Sequence, residues 1–440
     1  MKIITLFACF APLVPAVSRR RLAVIAQAIL TMTGRITMLG MSRWSEKGGS
    51  YRSIQRFFAT ELPWEQMQVK FFATHLFKPE REYILAGDET VIGKSGHETY
   101  GVNRFFSGLR GKVIRGLSFF VFSLVDTAER QAYPLLVEQR IKNEVEKKEP
   151  APPKKKGPAK RGRPAGSRNR DKREFKPSSE LKQINAMLKV LLGLLRPFVP
   201  VKYLALDGHF GHHQAVLLAQ QNELELISKL RRDTVLYEPY DGEQSGKGRK
   251  KKYGARLKYD SLPPKYLQKS EHKGDEIINY YAGVFWPQEF AEAMRVVVIV
   301  RRQVKKKKVG HAILFSSEVG LAWEKLLDYY SLRFQIEFNF RDVKQHFGLE
   351  DFMNTTEVGV TNAANLAFLM VLLSAKLQTD SAEGVVGIHD LKTQYRGAKY
   401  AVTVIKKVLQ NPEPILMQRI IEEVGRLGSI DRPTSVSSIP

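Results

Sequence analysis

Cysteine is almost absent from the chain: Cys9 is the single cysteine among 440 residues. One thiol cannot close an intrachain disulfide, and it cannot supply a zinc site built from several cysteines. No stretch of about 18 residues is wholly apolar, so the sequence predicts no membrane span. These shortages predict a protein of the reducing cytoplasm that has no membrane partner.

The first residues show a pattern with two interpretations. Met1–Ser18 has one lysine, an apolar run and a small-residue end, which is typical of a secretory signal peptide. Arg19-Arg20-Arg21 follows at once, and Leu22–Met32 is a second apolar stretch at helical spacing. The two stretches together favour the helical start of a folded domain, and an exported basic protein is the alternative.

Acidic residues are scarce relative to basic ones, with 45 Asp and Glu against 70 Lys and Arg and a formal net charge of +25. A surplus of this size repels itself unless a polyanion neutralises it, and nucleic acid is the usual partner. An anionic membrane surface is the alternative. The rest of the composition is ordinary, with 43% hydrophobic residues, and the length allows two or three domains.

The chain divides into three regions by the period of its apolar residues. Residues 1–78 and 351–440 predict helical regions, the second with a frayed tail. Residues 79–350 begin with β-branched and aromatic runs and continue as strand–helix–strand alternation. This order predicts an α/β (α+β) fold, a mixed sheet with helices packed on it. The predicted elements are strands Glu82–Ile92, Val113–Asp126, Val201–Asp207 and Glu225–Lys229, and helices Leu181–Phe198, His212–Asn222, Trp323–Phe347, Val360–Gln378 and Tyr400–Gly425.

Two segments interrupt the predicted sheet, at residues 141–178 and 233–317. The first contains Lys147–Lys176, which holds thirteen Lys and Arg and three Asp and Glu and has no apolar periodicity, so it predicts a mobile basic loop. Its Arg161-Gly162-Arg163-Pro164 resembles the core of an AT-hook, which binds the minor groove of A·T tracts. Unspecific phosphate binding is the alternative for Arg161 and Arg163. The second segment predicts a β-rich insertion that ends in a hairpin with a basic tip.

The predicted helix Trp323–Phe347 carries a polar stripe. At about 100° per residue, Tyr330, Arg333, Glu337 and Lys344 share an arc about 60° wide. A carboxylate flanked by two cations and a phenol suits a metal ion at the centre of a phosphate-binding surface. The alternative is an exposed amphipathic face with an Arg–Glu pair one turn apart.

Four segments of the chain, including this stripe, resemble motifs of one protein family. Tyr330-x2-Arg333-x3-Glu337-x6-Lys344 resembles the YREK signature of the DDE-type insertion-sequence transposases. Three further segments are similar to the strands of that family's catalytic core, over roughly residues 80–350: Ala86-Gly87-Asp88-Glu89-Thr90 with Lys94, Leu204–Gly211 and Leu226–Arg231.

The resemblance implies a ribonuclease-H-like fold in which Asp88, Asp207 and Glu337 are the catalytic and metal-binding residues, holding two Mg²⁺ ions with Mn²⁺ as a substitute. Hard cations of this kind prefer carboxylate oxygens, and a pair of them can activate a hydroxyl and stabilise the departing oxyanion. Tyr330, Arg333 and Lys344 would then hold DNA near the scissile phosphate. A strand-end aspartate that caps a turn is the alternative for Asp88 and Asp207.

Other polar residues near these strands are interpreted as structural. Asp126 ends a predicted strand, and we expect it to stabilise the turn. Glu89 should point to the face of its strand opposite Asp88. Three histidines follow Asp207, and helix-start or DNA contacts are favoured for His209, His212 and His213 over metal ligation.

The predicted insertion contains one tryptophan, Trp286. Some members of the resembled family use a tryptophan in this region to stack on a flipped base while a DNA hairpin forms at the transposon end. The residue type is equally compatible with a place in the hydrophobic core. Core packing is slightly favoured for Trp286, and base stacking stays the alternative.

These observations predict a cut-and-paste transposase of the cytoplasm and nucleoid. Its partners would be the double-stranded DNA of the transposon's terminal repeats and of the target, with residues 1–78 binding the repeats. A homodimer assembled on DNA is implied by the family and by the two equivalent ends. The alternatives are a structure-specific nuclease on the same fold and a non-catalytic DNA-binding protein derived from a transposase.

Overall fold

The computed structural model describes residues 3–45, 48–142, 172–244, 246, 248, 250–305, 308–381, 387–408 and 414–425. Most of the predicted basic loop lies outside the described residues, and so do Arg161 and Arg163.

The N-terminal region is helical in its described residues, and the first of these are part of the core. Phe7 and Phe10 are fully buried, and their rings lie 6.1 Å from the ring of Phe71. The signal-like stretch therefore packs inside the fold. Ser50 caps its helix by accepting a hydrogen bond from the Ser53 N–H at 3.3 Å. The helices of this region are α1 Ile3–Leu6, α2 Ala16–Thr31, α3 Met38–Trp44, α4 Tyr51–Phe58 and α5 Trp64–His75.

A mixed sheet forms the centre of the molecule. Long β1 lies antiparallel to β3 on one side and parallel to β5 on the other, and β6 continues parallel to β5. This is the ribonuclease-H-like arrangement that the sequence predicted. The strands are β1 Tyr83–Gly93, β2 Asn103–Ser107, β3 Lys112–Asp126, β4 Gln131–Gln139, β5 Tyr203–Leu206 and β6 Glu225–Leu230, with helices α6 Ser179–Leu195 and α7 His213–Gln221.

The segment 233–317 is β-rich, and it extends the central sheet. Its last strand pairs antiparallel with β6, from Ile313 opposite Leu230 to Ser316 opposite Ile227. The predicted hairpin is present, with Lys305 and Lys308 beside its turn. The strands of this segment are β7 Leu236–Pro239, β8 Tyr253–Arg256, β9 Leu267–Lys273, β10 Glu276–Pro287, β11 Met294–Gln303 and β12 Lys308–Ser316.

The prediction of one helix over Trp323–Phe347 is wrong. The structure has α8 Trp323–Leu332 and α9 Gln335–Gln345. Between them the N–H groups of Phe334, Ile336 and Glu337 each bond a carbonyl three residues earlier. That bonding is the tighter 3₁₀ geometry, so the angular spacing of a continuous α-helix does not hold across Arg333.

The C-terminal helices enclose the sheet. α10 Glu357–Thr379 is long and apolar enough to cross a membrane, yet 89% of its most apolar window is buried inside the protein. Its Asn362 accepts a hydrogen bond from the Trp64 indole at 2.7 Å, which ties it to α5. The helical pattern predicted over Tyr400–Gly425 is confirmed for its described residues, which belong to α11 Ile388–Val408 and α12 Pro414–Gly425.

Candidate active site

Sheet register brings two predicted aspartates together. Gly87 of β1 lies opposite Leu206 of β5 in the parallel ladder, so Asp88 and Asp207 follow at neighbouring positions. Adjacent strands are about 4.8 Å apart. Asp88 accepts a hydrogen bond from the Glu89 N–H at 2.8 Å, and Asp207 accepts one from the His209 N–H at 3.1 Å. A parallel strand pair thus presents both carboxylates at one place on the sheet.

The electrostatics of Asp88 show that a third carboxylate is near. Burial raises the pKa of Asp88 to about 6, while the Arg333 guanidinium acts in the opposite direction. The negative charges of Asp207 and Glu337 each raise this pKa further. Burial also raises the pKa of Glu337, again against the effect of Arg333. The structure therefore brings Asp88, Asp207 and Glu337 within electrostatic reach of one another.

Arg333 lies between the carboxylates. Its Nη1 donates to Asp88, and its Nη2 is 3.7 Å from Glu337 Oε1. The side chain is only 12% exposed, against 42% for Glu337. Its Nε is buried and has no hydrogen-bond partner among the described residues. Asp88 and Glu337 thus flank a mostly buried positive charge.

Tyr330 belongs to the same cluster, whereas Lys344 lies apart. The Arg333 guanidinium is 5.8 Å from the centre of the Tyr330 ring, and burial raises the pKa of the Tyr330 hydroxyl. Lys344 Nζ instead donates to the Val91 carbonyl at 3.1 Å, three residues beyond Asp88 along β1. The predicted stripe is therefore divided between the carboxylates and the far end of β1.

Divalent metal would require some rearrangement of this cluster. No three His, Cys, Asp or Glu side chains in the described part of the chain are close enough together to form a ready metal site. The donor set is nevertheless the one that hard cations prefer, namely three carboxylates. Arg333 neutralises two of these carboxylates, so a divalent cation would have to displace it in order to bind among them.

Three cations, on β6 and directly after it, line the cleft beside Asp207. The sequence analysis assigned no role to them. A cleft of about 500 Å³ is bordered by Asp207, Tyr330 and Arg333, and also by Lys229, Arg231 and Arg232. Lys229 and Arg231 belong to the family-like segment Leu226–Arg231, and Arg232 follows it, but a strand pattern does not show which side chains face a cleft. The carboxylates therefore lie beside a basic surface.

A chain of polar contacts supports the loop after Asp207 from the opposite face of β1. Glu89 accepts from the Ser118 hydroxyl and lies 3.6 Å from Arg140, which confirms its orientation away from Asp88. Arg140 pairs with Glu180 at 2.9 Å, and Glu180 meets His209 Nε2 at 3.1 Å. The Glu180 hydrogen bond raises the pKa of His209. Nothing in the sequence joined these distant residues.

Other predicted positions have structural contacts. Asp126 is 1% exposed and accepts from the N–H groups of Ala128 and Glu129, so it stabilises the β3–β4 turn as predicted. His212 is the N-cap residue of α7, and His213 begins that helix. These two histidines are at a helix start, as the sequence favoured.

Trp286 is half-buried on β10, so the slightly favoured place in the core is wrong. Its ring meets the Tyr253 ring edge-on at 5.8 Å, and Lys252 Nζ lies 5.0 Å above it. Tyr237, opposite Trp286 in the β10–β7 ladder, also packs against Tyr253 at 5.1 Å. Trp286 is thus part of an aromatic and basic surface of the insertion.

The chain matches one known family, described as DDE superfamily endonuclease, over residues 7–280. The match includes Asp88 and Asp207 and stops before Glu337, so the YREK-like pattern from Tyr330 to Lys344 stays a prediction. No curated protein matches the chain. Residues 7–280 are well over half of the sequence, and the core of the sheet has the fold that this family implies. The chain therefore belongs to the DDE superfamily endonucleases, nuclease-type enzymes that act on DNA.

Proposed function

We propose that this protein is a DNA transposase that cleaves the ends of an insertion sequence and joins them to target DNA by a cut-and-paste route. One observation carries the proposal: Asp88 and Glu337 both pair with Arg333, and Asp207, next to Asp88 in the sheet, lines the same basic cleft as Arg333. Carboxylates placed among cations suit a reaction at a phosphodiester, because the cations hold the anionic backbone and the carboxylates hold metal.

Asp88, Asp207 and Glu337 would hold divalent metal, with Mg²⁺ as the natural ion. When bound, such ions activate a hydroxyl nucleophile and stabilise the leaving oxygen. The protein's own groups position the strand. Arg333 is the donor nearest the carboxylates, and its guanidinium would bind a phosphate oxygen beside them. Tyr330 lines the same cleft, and Lys229 and Arg231 would extend the phosphate-binding surface across it.

Assembly completes the proposal. Two transposon ends are equivalent, so a homodimer formed on DNA would place one set of carboxylates at each end. The helices of residues 1–78 supply the region outside the sheet that would bind terminal repeats, in the bacterial cytoplasm. A structure-specific nuclease that cleaves without joining is the second candidate, because the same cluster of carboxylates serves both reactions.

The decisive experiment uses the full chain and duplex DNA carrying the ends of its own element. The protein is incubated with Mg²⁺ or with EDTA, and the products are resolved by strand. Metal-dependent cleavage at the ends followed by joined products supports a transposase. Cleavage without any joined product supports the nuclease, and no cleavage of any duplex contradicts both.

The position of Trp286 leads to a separate prediction. If Trp286 stacks on a flipped base, Trp286→Ala should leave the first nick intact and reduce the hairpin product on the order of tenfold, since stacking is worth about 1–3 kcal/mol per base. Tyr253→Ala removes its ring partner and is the matched control for loss of packing. Equal nick and hairpin yields in Trp286→Ala and wild type would contradict base stacking.

The basic segment Lys147–Lys176 leads to another. Deleting it removes a net charge of 13 − 3 = +10, so DNA affinity should fall and the plot of log affinity against log salt should become less steep. If Arg161 and Arg163 contact the minor groove, replacing both by Ala should reduce any preference for A·T-rich duplexes. Unchanged affinity and slope after deletion would contradict both roles.

A further inference from the structure

The β2–β3 hairpin carries a basic surface that lies outside the carboxylate cluster. Four exposed cations and no carboxylate occur between Asn103 and Arg115. Among the described residues none of the four pairs with a carboxylate, and Arg115 instead meets His97 Nε2 at 3.0 Å. The four cations are Arg104, Arg110, Lys112 and Arg115.

Strand register places two of these cations against each other. Arg104 is directly opposite Arg115, and Phe106 is opposite Val113 on the same face of the hairpin. Like charges directly opposite each other in a ladder are destabilising. The apolar neighbours are exposed as well, Phe106 at 64% and Leu109, in the turn, at 88%. In water this face of the hairpin is destabilised by charge repulsion and by its exposed apolar side chains. Binding to a polyanion that also has apolar recesses would relieve both effects.

The hairpin is continuous with the end of β1. Arg110 folds back, and its guanidinium is about 4 Å from where a side chain on Gly93 would begin. A cavity of about 580 Å³ lies here, bordered by Lys94, Arg110, Lys112 and Arg115. Lys344, bonded to Val91, is close enough for the charge of Arg110 to act on it. Cations therefore extend from the end of β1 to the hairpin, with the Glu350 carboxylate near Lys94 and Lys344.

The distance from the carboxylates suits a DNA duplex. Asp88 is opposite Val121 in the β1–β3 ladder, and Arg115 and Val113 come six and eight residues earlier on β3. At about 3.3 Å per residue they are at most roughly 20 and 26 Å from the Asp88 position. A duplex rises about 3.4 Å per base pair. The hairpin would thus meet DNA roughly six to eight base pairs from a phosphate held at Asp88.

We propose that the β2–β3 hairpin, Asn103–Arg115, is a DNA-binding arm that grips the duplex on one side of the cleavage point. Arg104 and Arg115 contact phosphates, and Phe106 and Leu109 contact sugars and base edges in the minor groove, where apolar side chains commonly insert. Duplex DNA is the occupant because its charge is complementary to a surface that lacks carboxylates. The inference rests on the proposed action at DNA ends, and it adds a contact away from the chemistry.

The test uses Arg104→Gln with Arg115→Gln in the full chain. Binding to a labelled end duplex is measured by fluorescence anisotropy in EDTA over a range of salt. Loss of two phosphate contacts should lower the slope of log affinity against log salt by about 2, and affinity at low salt on the order of tenfold. The matched control is Lys182→Gln with Lys189→Gln, two exposed cations on α6, which should leave the slope unchanged. An unchanged slope in the hairpin variant overturns the proposal.

A second variant, Phe106→Ser with Leu109→Ser, keeps every charge. Hydroxyl-radical footprinting should show protection lost about six to eight base pairs from the cleavage point and retained at it. A change in sedimentation of the DNA-free protein, with an unaltered footprint, would make the hairpin a self-association surface and overturn the proposal. Wild-type cleavage in Mg²⁺ is measured beside both variants. Its absence contradicts the proposed function, whereas normal cleavage with unaltered binding by both variants contradicts only the hairpin's role.

Discussion

Amide substitution at Asp88, Asp207 or Glu337 is expected to abolish DNA cleavage and leave the fold intact. Asp88→Asn, Asp207→Asn and Glu337→Gln each preserve shape and remove one negative charge from the set that would hold metal. Metal ions supply several kcal/mol of stabilisation to such a reaction, so each variant should lose on the order of a thousandfold in cleavage rate. Strand-resolved cleavage of an end duplex in Mg²⁺ measures this loss.

DNA binding separates this expectation from simple damage. Each substitution removes a negative charge beside phosphate, so affinity measured in EDTA should be unchanged or higher. Glu129→Gln is the matched control, because Glu129 lies in the β3–β4 turn and pairs with Lys78 and Arg81 instead of Arg333. Its cleavage rate should stay within a few-fold of wild type.

The amphipathic alternative for α9 makes the opposite prediction. There Glu337 is only the partner of Arg333 one turn away, so its loss would cost about 0.2–0.5 kcal/mol of helix stability and leave activity near normal. Full cleavage by a well-folded Glu337→Gln protein would remove this residue from the candidate site.

Apolar patterns along the chain were enough to predict most of the central strands. The missed strand β4 is an edge strand. Strands β1, β3, β5 and β6 could be predicted from their apolar runs, because the apolar side chains are buried against the sheet. β4 was not predicted, in part because Pro134 interrupts its pattern. In the structure β4 pairs with β3 on one side only, with a register shift at Phe122/Ser123 beside the proline. An edge strand tolerates proline there, since the missing N–H has no partner to lose.

A break in the helix explains why the predicted polar stripe from Tyr330 to Lys344 was only partly correct. Its angles assumed an unbroken α-helix, whereas the chain tightens between Leu332 and Gln335. Arg333 and Glu337 still meet, because they are close in sequence. The contact of Arg333 with Asp88 spans 245 residues and depends on tertiary packing. Tertiary packing likewise places Lys344 against β1 and not beside the carboxylates. Short-range chemistry was predictable from the sequence, and the partner of each charge was not.

We expect Arg333 to neutralise the carboxylates in place of metal until DNA binds. In the DNA-free protein its guanidinium pairs with both Asp88 and Glu337. Metal must therefore displace it, and charge-assisted hydrogen bonds of this kind are worth about 1.5–3 kcal/mol. Arg333→Ala should accordingly bind Mn²⁺ roughly tenfold more tightly than wild type without DNA, measured by isothermal titration calorimetry.

Cleavage by the same variant should move in the other direction. With metal at saturation, Arg333→Ala lacks the donor nearest the scissile phosphate, and loss of one such donor typically costs about 10²–10³ in rate. Arg341→Ala is the matched control, because Arg341 lies on α9, the helix that follows Arg333, and pairs with Asp342 at 3.1 Å, apart from the three carboxylates. It should change neither quantity. Weaker or unaltered Mn²⁺ binding by a folded Arg333→Ala protein would show that the arginine does not compete with metal. Normal cleavage by that protein would show that it does not position the strand.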